Sequence, residues 1–192
     1  YTYGIPGTHT TEIYDALHES QQITPVLVTH EGCASFMADA TSRTTGGIGA
    51  LVIVPGAGLT HAMSGIAEAW LDGIPMLIIS GGVRKDVNQS YQLHGINQLE
   101  LAKPVTKACF QVTHQSEVIP MIYEAYEIAM KGEPGPVFID IPIDILMYTA
   151  SVESMPTYLS ARAKADPDPT AVEQAADLII KSRFPMLYLG WG

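Results

Sequence analysis

The sequence predicts an α/β fold with a doubly wound, mainly parallel sheet and helices on both faces, truncated at both ends. Three observations carry this expectation. Short runs rich in Val and Ile are apolar at consecutive positions, the pattern of strands buried on both faces, which are usually parallel. Longer amphipathic stretches alternate with these runs, and the order strand, helix, strand implies right-handed crossovers. Turns containing Gly, Pro or His follow the apolar runs, at the carboxyl ends of strands, where such sheets gather their chemistry.

Taken in order, residues 1–3 read as the end of a strand. Residues 11–18 (TEIYDALH) form a helix after a Thr-rich turn able to cap it. Strands are expected at 23–29 (ITPVLVT), 49–54 (GALVIV), 75–80 (PMLIIS) and 136–141 (PVFIDI). Helices are expected at 34–44 (ASFMADATSRT), stopped by Gly46 and Gly47, at 60–71 (THAMSGIAEAWL) and at 117–131 (EVIPMIYEAYEIAMK). From about Ala150 the periodicity fades around Pro156, Pro167 and Pro169, the texture of an interdomain linker. The division is therefore a first domain over 1–150, a linker over 151–169, and the beginning of a second domain over 170–192. That last piece holds a helix at 170–181 and a buried strand at 185–189 (PMLYL). One helix and one strand cannot close a core, so the chain is expected to be part of something longer.

A length of 192 residues with 47% hydrophobic content suits one domain and part of another. The formal charge of −10 argues against nucleic acid and anionic lipid as partners, since both demand clustered Lys and Arg. No apolar run approaches the ~20 residues of a membrane span, and no signal-peptide pattern opens the chain. Cys33 and Cys109 lack metal-ligand spacing and read as small buried apolar residues, which fits a reducing or an indifferent compartment; a cytoplasmic location is the expectation.

Four turns are candidates for chemistry: 4–10 (GIPGTHT), 30–32 (HEG), 55–61 (PGAGLTH) and the stretch from Ser80 (SGGVRKD). Gly56 and Gly58 approach the dinucleotide-binding fingerprint, in which glycines let backbone meet a pyrophosphate. The acidic partner expected about 20 residues later is missing, so a plain tight turn is an equal reading. The chain has no P-loop lysine and no G-x-S-x-G elbow. Glu31 sits at a strand tip in mostly apolar company, where burial would raise its pKa and favour a proton-sharing bond. Its alternative is a surface glutamate at a helix N-terminus. His9, His61 and His94 fall in turns, His30 is a neighbour of Glu31 or a catalyst, and His18 and His114 look exposed. No pair of histidines has the spacing of a helical zinc site, so no metal ligands are expected.

Together the blocks GIPGTHTTEIYDAL, VLVTHEGCASFMADATSRTTG, VIVPGAGLTHAMSGIAEAWLDGIPMLIISG, LAKPVTK and GEPGPVFIDIPIDI resemble the amino-terminal half of the acetolactate synthase-like thiamine-diphosphate enzymes. The resemblance covers roughly residues 1 to 148, in order, and the helix and strand after the linker are similar to the start of that family's middle domain. It implies a pyrimidine-binding domain in which Glu31 hydrogen-bonds N1′ of the aminopyrimidine and so favours the tautomer that takes the proton from C2. It also implies that Ile5, Gly56, Ala57 and His61 line the pyrimidine, with Ala57 and His61 standing where relatives most often carry Pro and Asn. His9 and His94 match positions that face the substrate in some members, and Leu93, His94 and Gly95 depart from the Phe-Gln-Glu usual in acetolactate synthases. Decarboxylase, carboligase and lyase activities on 2-keto acids or related carbonyls are therefore all open.

The family's GDG motif for diphosphate and Mg2+ is not matched, so anchoring is expected from an absent C-terminal domain. Partners implied are a small-molecule substrate and a second copy, in a dimer or dimer of dimers with the cofactor at the subunit interface. FAD is left open. Two rivals remain: a non-catalytic or regulatory module of the same fold, and a nucleotide-binding oxidoreductase built on the glycine turn.

Overall fold

The computed structural model describes residues 1–89, 91–152, 154–157 and 166–188. The chain divides into two units, Tyr1–Tyr158 and Leu159–Gly192. In the first, the elements run β1 (Thr2–Gly4), α1 (Thr11–Glu19), β2 (Pro25–Leu27), α2 (Glu31–Thr45), β3 (Gly49–Ile53), α3 (Ala57–Leu71), β4 (Met76–Gly82), α4 (Gln98–Ala102), β5 (Ala108–Gln111), α5 (Val118–Met130), β6 (Pro136–Pro142) and α6 (Ile143–Leu146). The six strands make one sheet in the order β2-β1-β3-β4-β6-β5. Every neighbouring pair is parallel, so the doubly wound α/β expectation holds.

Burial follows the two-residue period of the strands. Leu51, Ile53, Met76, Ile78 and Phe138 face one core with Ala34 and Ala38 of α2 and Leu59, Ala62, Ile66 and Ala69 of α3. Leu77, Val137, Ile139 and Ile141 face the other core with Ala125 and Ala129 of α5. The centre is the most apolar: β3, β4 and β6 are almost wholly buried. The edge strand β2 is only half-buried and shorter than its apolar run suggests: among the described residues no strand pairs with its outer side, and Leu27 is 72% exposed.

Local chemistry places the helix ends. His30 opens α2 by accepting the Gly32 amide at its Nδ1, 3.0 Å away. Gly46, in the left-handed region, closes that helix with its amide on Ser42 O. Thr10 precedes α1 but does not cap it with its side chain; its Oγ1 is held in the preceding turn by Gly7. Helix α3 begins at Ala57, three residues before the expected start, which puts His61 inside a helix rather than in a turn. Cys109 is half-buried, but Cys33 is exposed, because it lies on the face of α2 opposite Ala34 and Ala38 and not toward the sheet.

Of the expected linker, residues 153 and 158–165 lie outside the described residues, as do residues 189–192. In the second unit, α7 (Pro169–Lys181) starts with the Asp168 carboxylate accepting the Thr170 amide at 3.0 Å. The strand expected at 185–189 is not formed over its described residues 185–188, where Met186 and Tyr188 are 88% and 95% exposed. A strand needs a partner for its backbone groups, and the described part of this unit offers only a helix.

Candidate active site at the carboxyl edge of the sheet

Strand β1 has β2 on one side and β3 on the other. The chain reverses its direction of winding there, which opens a crevice at the carboxyl ends of β1 and β3. Four segments converge on that edge: residues 5–10 after β1, His30 and Glu31 after β2, the turn at Gly56 after β3, and Ser80 to Gly82 at the end of β4.

Glu31 is the first residue of α2 and is 7% exposed. Its company is not mostly apolar, as the sequence suggested: His61 Nδ1–H of α3 donates to Glu31 Oε2 at 3.1 Å. Among the described residues Oε1 accepts no hydrogen bond. His61 also stacks on His30, with ring centroids 4.9 Å apart. Beneath them, Tyr14 of α1 donates its hydroxyl to Val52 O at 2.9 Å. Burial first, and then the negative charge of Glu31, hold the Tyr14 phenol well above its usual range.

His9 and His94 meet edge to face, 5.9 Å between centroids. The structure brings them together although 85 positions separate them in sequence (94 − 9). Burial, with His94 as the second cause, lowers the His9 pKa below its ordinary 6.5. Two glycines permit this approach. A Cβ on Gly81 would fall 1.8 Å from His9 O, and one on Gly56 would fall 2.8 Å from His94 O. Gly56 further adopts φ 62°, ψ −99°, outside the regions open to residues with a side chain. His94 itself has φ 66°.

A second reversal of winding lies at β4 and β6, since β6 inserts between β4 and β5. Ser80 and Asp140 are register partners there. Gln98, the first residue of α4, lies over them: its Oε1 accepts from Ser80 Oγ at 3.1 Å and from the Gly56 amide at 3.2 Å. Its Nε2 donates to Asp140 Oδ1 at 3.2 Å, and Gln111 Nε2 donates to Asp140 Oδ2 at 2.7 Å. Ser80, Gln98 and Asp140 are all buried, and burial raises the Asp140 carboxyl above its ordinary 3.8. A polar cavity of about 290 Å³ opens beside the network, lined in part by Lys85, His94, Asn97, Gln98, Gln111 and Asp140.

The residues singled out from sequence thus fall into two groups. Glu31 and His61 form one pair, and His9 and His94 another, with the Gly56 turn against the second. Ala57 is exposed at the start of α3, and Ile5 is half-buried against the core that holds Val28 and Leu59. No hydrogen bond or ring contact joins the two pairs among the described residues. His18 and His114 are exposed; His114 caps a short turn with Glu117. Ser80 opens one of the four candidate turns, whereas Gln98, Tyr14 and Asp140 escaped the sequence reading. Only Asp140 left a signal, a carboxylate inside the otherwise apolar run PVFIDI. Among the described residues no group of three or more His, Cys, Asp or Glu is arranged to hold a metal ion. None of the described helices is long and apolar enough to cross a membrane.

Fold and site together define a doubly wound α/β domain with a buried carboxylate and paired imidazoles at the carboxyl edge of its sheet. The family model described as thiamine pyrophosphate enzyme, N-terminal TPP binding domain, matches residues 1–101, and the chain belongs to that family. It is 34% identical over 200 residues to the acetolactate synthase large subunit of Buchnera aphidicola (Schizaphis graminum strain), covering 100% of this chain and 34% of that protein. It is 34% identical over 189 residues to the isozyme 1 large subunit of Escherichia coli K12, covering 98% of this chain and 34% of the relative. With the acetolactate synthase large subunit of Corynebacterium glutamicum the identity is 34% over 201 residues, covering 99% and 31%. The chain therefore spans about a third of the length of the relatives it matches. It is an acetolactate synthase-like N-terminal portion within an enzymatic, thiamine-diphosphate-dependent family.

Proposed function

We propose that this chain is the cofactor-activating portion of a thiamine-diphosphate-dependent decarboxylase or carboligase acting on 2-keto acids. The observation that carries the proposal is Glu31: a buried carboxylate at the crevice, with one oxygen held by His61 and the other without a partner among the described residues. The residues present fit the pyrimidine half of the cofactor. The absent Cβ of Gly56 lets His94 close on the turn, and half-buried Ile5 and exposed Ala57 offer a ring apolar surface.

Bound thiamine diphosphate would supply an electron sink for the carbanion left when a 2-keto acid loses carbon dioxide. His61 holds the Glu31 carboxylate through Oε2 and leaves Oε1 open, so Glu31 would be the residue to share a proton with the aminopyrimidine N1′ of a bound cofactor. His9, in which burial disfavours the charged imidazolium, and His94 would face the reacting carbonyl, where an imidazole can accept or donate one proton. Mg2+ and the diphosphate group belong to another part of the complete protein, as nothing in this chain matches the GDG motif. The working unit is a cytoplasmic homo-oligomer with the cofactor between subunits. Exposed Phe36 and Met37 on α2 and Trp70 and Leu71 at the end of α3 support that assembly. Residues 1–150 act as the pyrimidine-binding domain, 151–169 as linker and 170–192 as the start of the middle domain.

The test uses the complete protein with thiamine diphosphate and Mg2+. Carbon dioxide release from pyruvate and a panel of 2-keto acids is followed for wild type and Glu31→Gln. The variant should lose about 100-fold or more of kcat, the scale of a lost general acid–base group. Undiminished turnover would refute the role given to Glu31. Tight NAD binding without thiamine diphosphate would favour an oxidoreductase instead.

A further inference from the structure

We propose that Gln98 is a positioning residue that fixes the Gly56 turn and the start of α3, with buried Asp140 holding Gln98 in the one orientation that can do so. The inference rests on reading the Gly56 turn as the surface facing the cofactor.

The amide of Gln98 bridges three elements. Its oxygen accepts from the Gly56 N–H and the Ser80 hydroxyl, and its nitrogen donates a hydrogen bond to Asp140. The reverse orientation would set Nε2 against the Gly56 N–H, donor against donor. Asp140, an acceptor of both Gln98 and Gln111, rules that orientation out. Gly56 has no freedom to find another partner, being pressed against the backbone of His94 on its other side. The Gly56 carbonyl in turn accepts the Thr60 amide at 2.9 Å, the bond that starts α3 one residue ahead of His61. A shift of this turn therefore moves both the glycine surface and the imidazole that holds Glu31. Neither Gln98 nor Asp140 contacts Glu31, so their influence is on geometry. The charged or titratable groups bordering Asp140 are Lys85, after β4, and His94, both lining the cavity.

The experiment uses the complete protein with Gln98→Leu and Gln98→Glu. Hydrogen exchange is read on the peptide spanning residues 55–61, and thiamine diphosphate affinity in the presence of Mg2+ is measured by calorimetry. Gln98→Leu leaves the Gly56 N–H without its acceptor and Asp140 Oδ1 without its donor, while Gln111 still holds Asp140 Oδ2. Exchange at the turn and the dissociation constant should each rise about tenfold, the scale of one unsatisfied buried donor, while exchange in β3 stays unchanged. Gln98→Glu keeps the acceptor but sets a second carboxyl against Asp140, and such a pair shares one proton. Its protection and affinity should therefore recover as pH falls from about 8 to about 5.5, which Gln98→Leu cannot do. Exchange and affinity at wild-type level in Gln98→Leu would overturn the proposal, as would a Gln98→Glu variant that tracks Gln98→Leu at every pH. Wild-type protein that binds no thiamine diphosphate would sink the cofactor reading instead, and the exchange measurements would still decide the role of Gln98.

Discussion

Gly56→Ala isolates the constraint on the glycine turn, because the smallest possible side chain meets two separate obstacles. The first is conformational: φ 62° with ψ −99° is a strained state for any residue bearing Cβ, at a cost of about 1–3 kcal/mol. The second is steric, since the new Cβ would lie 2.8 Å from His94 O and 3.0 Å from His94 Cα. Those are backbone atoms, so relief requires moving the whole 94 segment or the turn. Either movement stretches the 3.2 Å bond from the Gly56 amide to Gln98, worth about 1 kcal/mol. The sum is about 3 kcal/mol, which for a domain of this size lowers Tm by about 6–12 °C. Differential scanning calorimetry of the complete protein, alone and with saturating thiamine diphosphate, would measure it. The ligand-dependent rise in Tm should also shrink in the variant, because the turn no longer sits where the cofactor meets it. A fall below about 2 °C, on the scale of under 1 kcal/mol, with an undiminished ligand effect would refute the claim that His94 and Gln98 pin this turn.

Two further outcomes follow from the same edge of the sheet. In an NMR titration, His9 should lose its proton below the ordinary 6.5, and His94→Ala should move it part of the way back. Recovery is partial because burial, the larger cause, remains; an unchanged His9 titration would show that the pair is not coupled. Asp140 works in the opposite sense, since burial raises its folded pKa above 3.8. Stability is thus fullest below that ordinary value and is lost as pH rises through the folded pKa. Asp140→Asn, with Gln111 turned to present its oxygen, should flatten the urea-unfolding profile across this window; an equal slope in the variant would place its source elsewhere.

The architecture was legible because its causes are local. Uninterrupted apolar runs such as GALVIV and PMLIIS can only be buried on both faces, and the helices between them carry their own stops, as at Gly46. What escaped was of two kinds. Strand β5 (ACFQ) is half-buried along its whole length and carries neither a long apolar run nor a clean alternation. The segment 185–188 shows the converse, an apolar stretch that is not a strand, and the other described element of its unit is a helix. Strand identity depends on a neighbour, which no local pattern supplies.

The sequence by itself determined the sheet class, the carboxyl-edge turns and the family, and singled out Glu31 as a candidate, because ordered motifs and hydrophobic periods are written along the chain. Only the tertiary structure decided which of those turns touch. It paired His61 with Glu31 and His9 with His94, and it brought Gln98 under the Gly56 turn across 42 positions. Parallel crossovers place residues distant in sequence on neighbouring strand tips, so the partners of a buried polar group are set by strand order. Strand order is a property of the packed sheet and not of any segment within it.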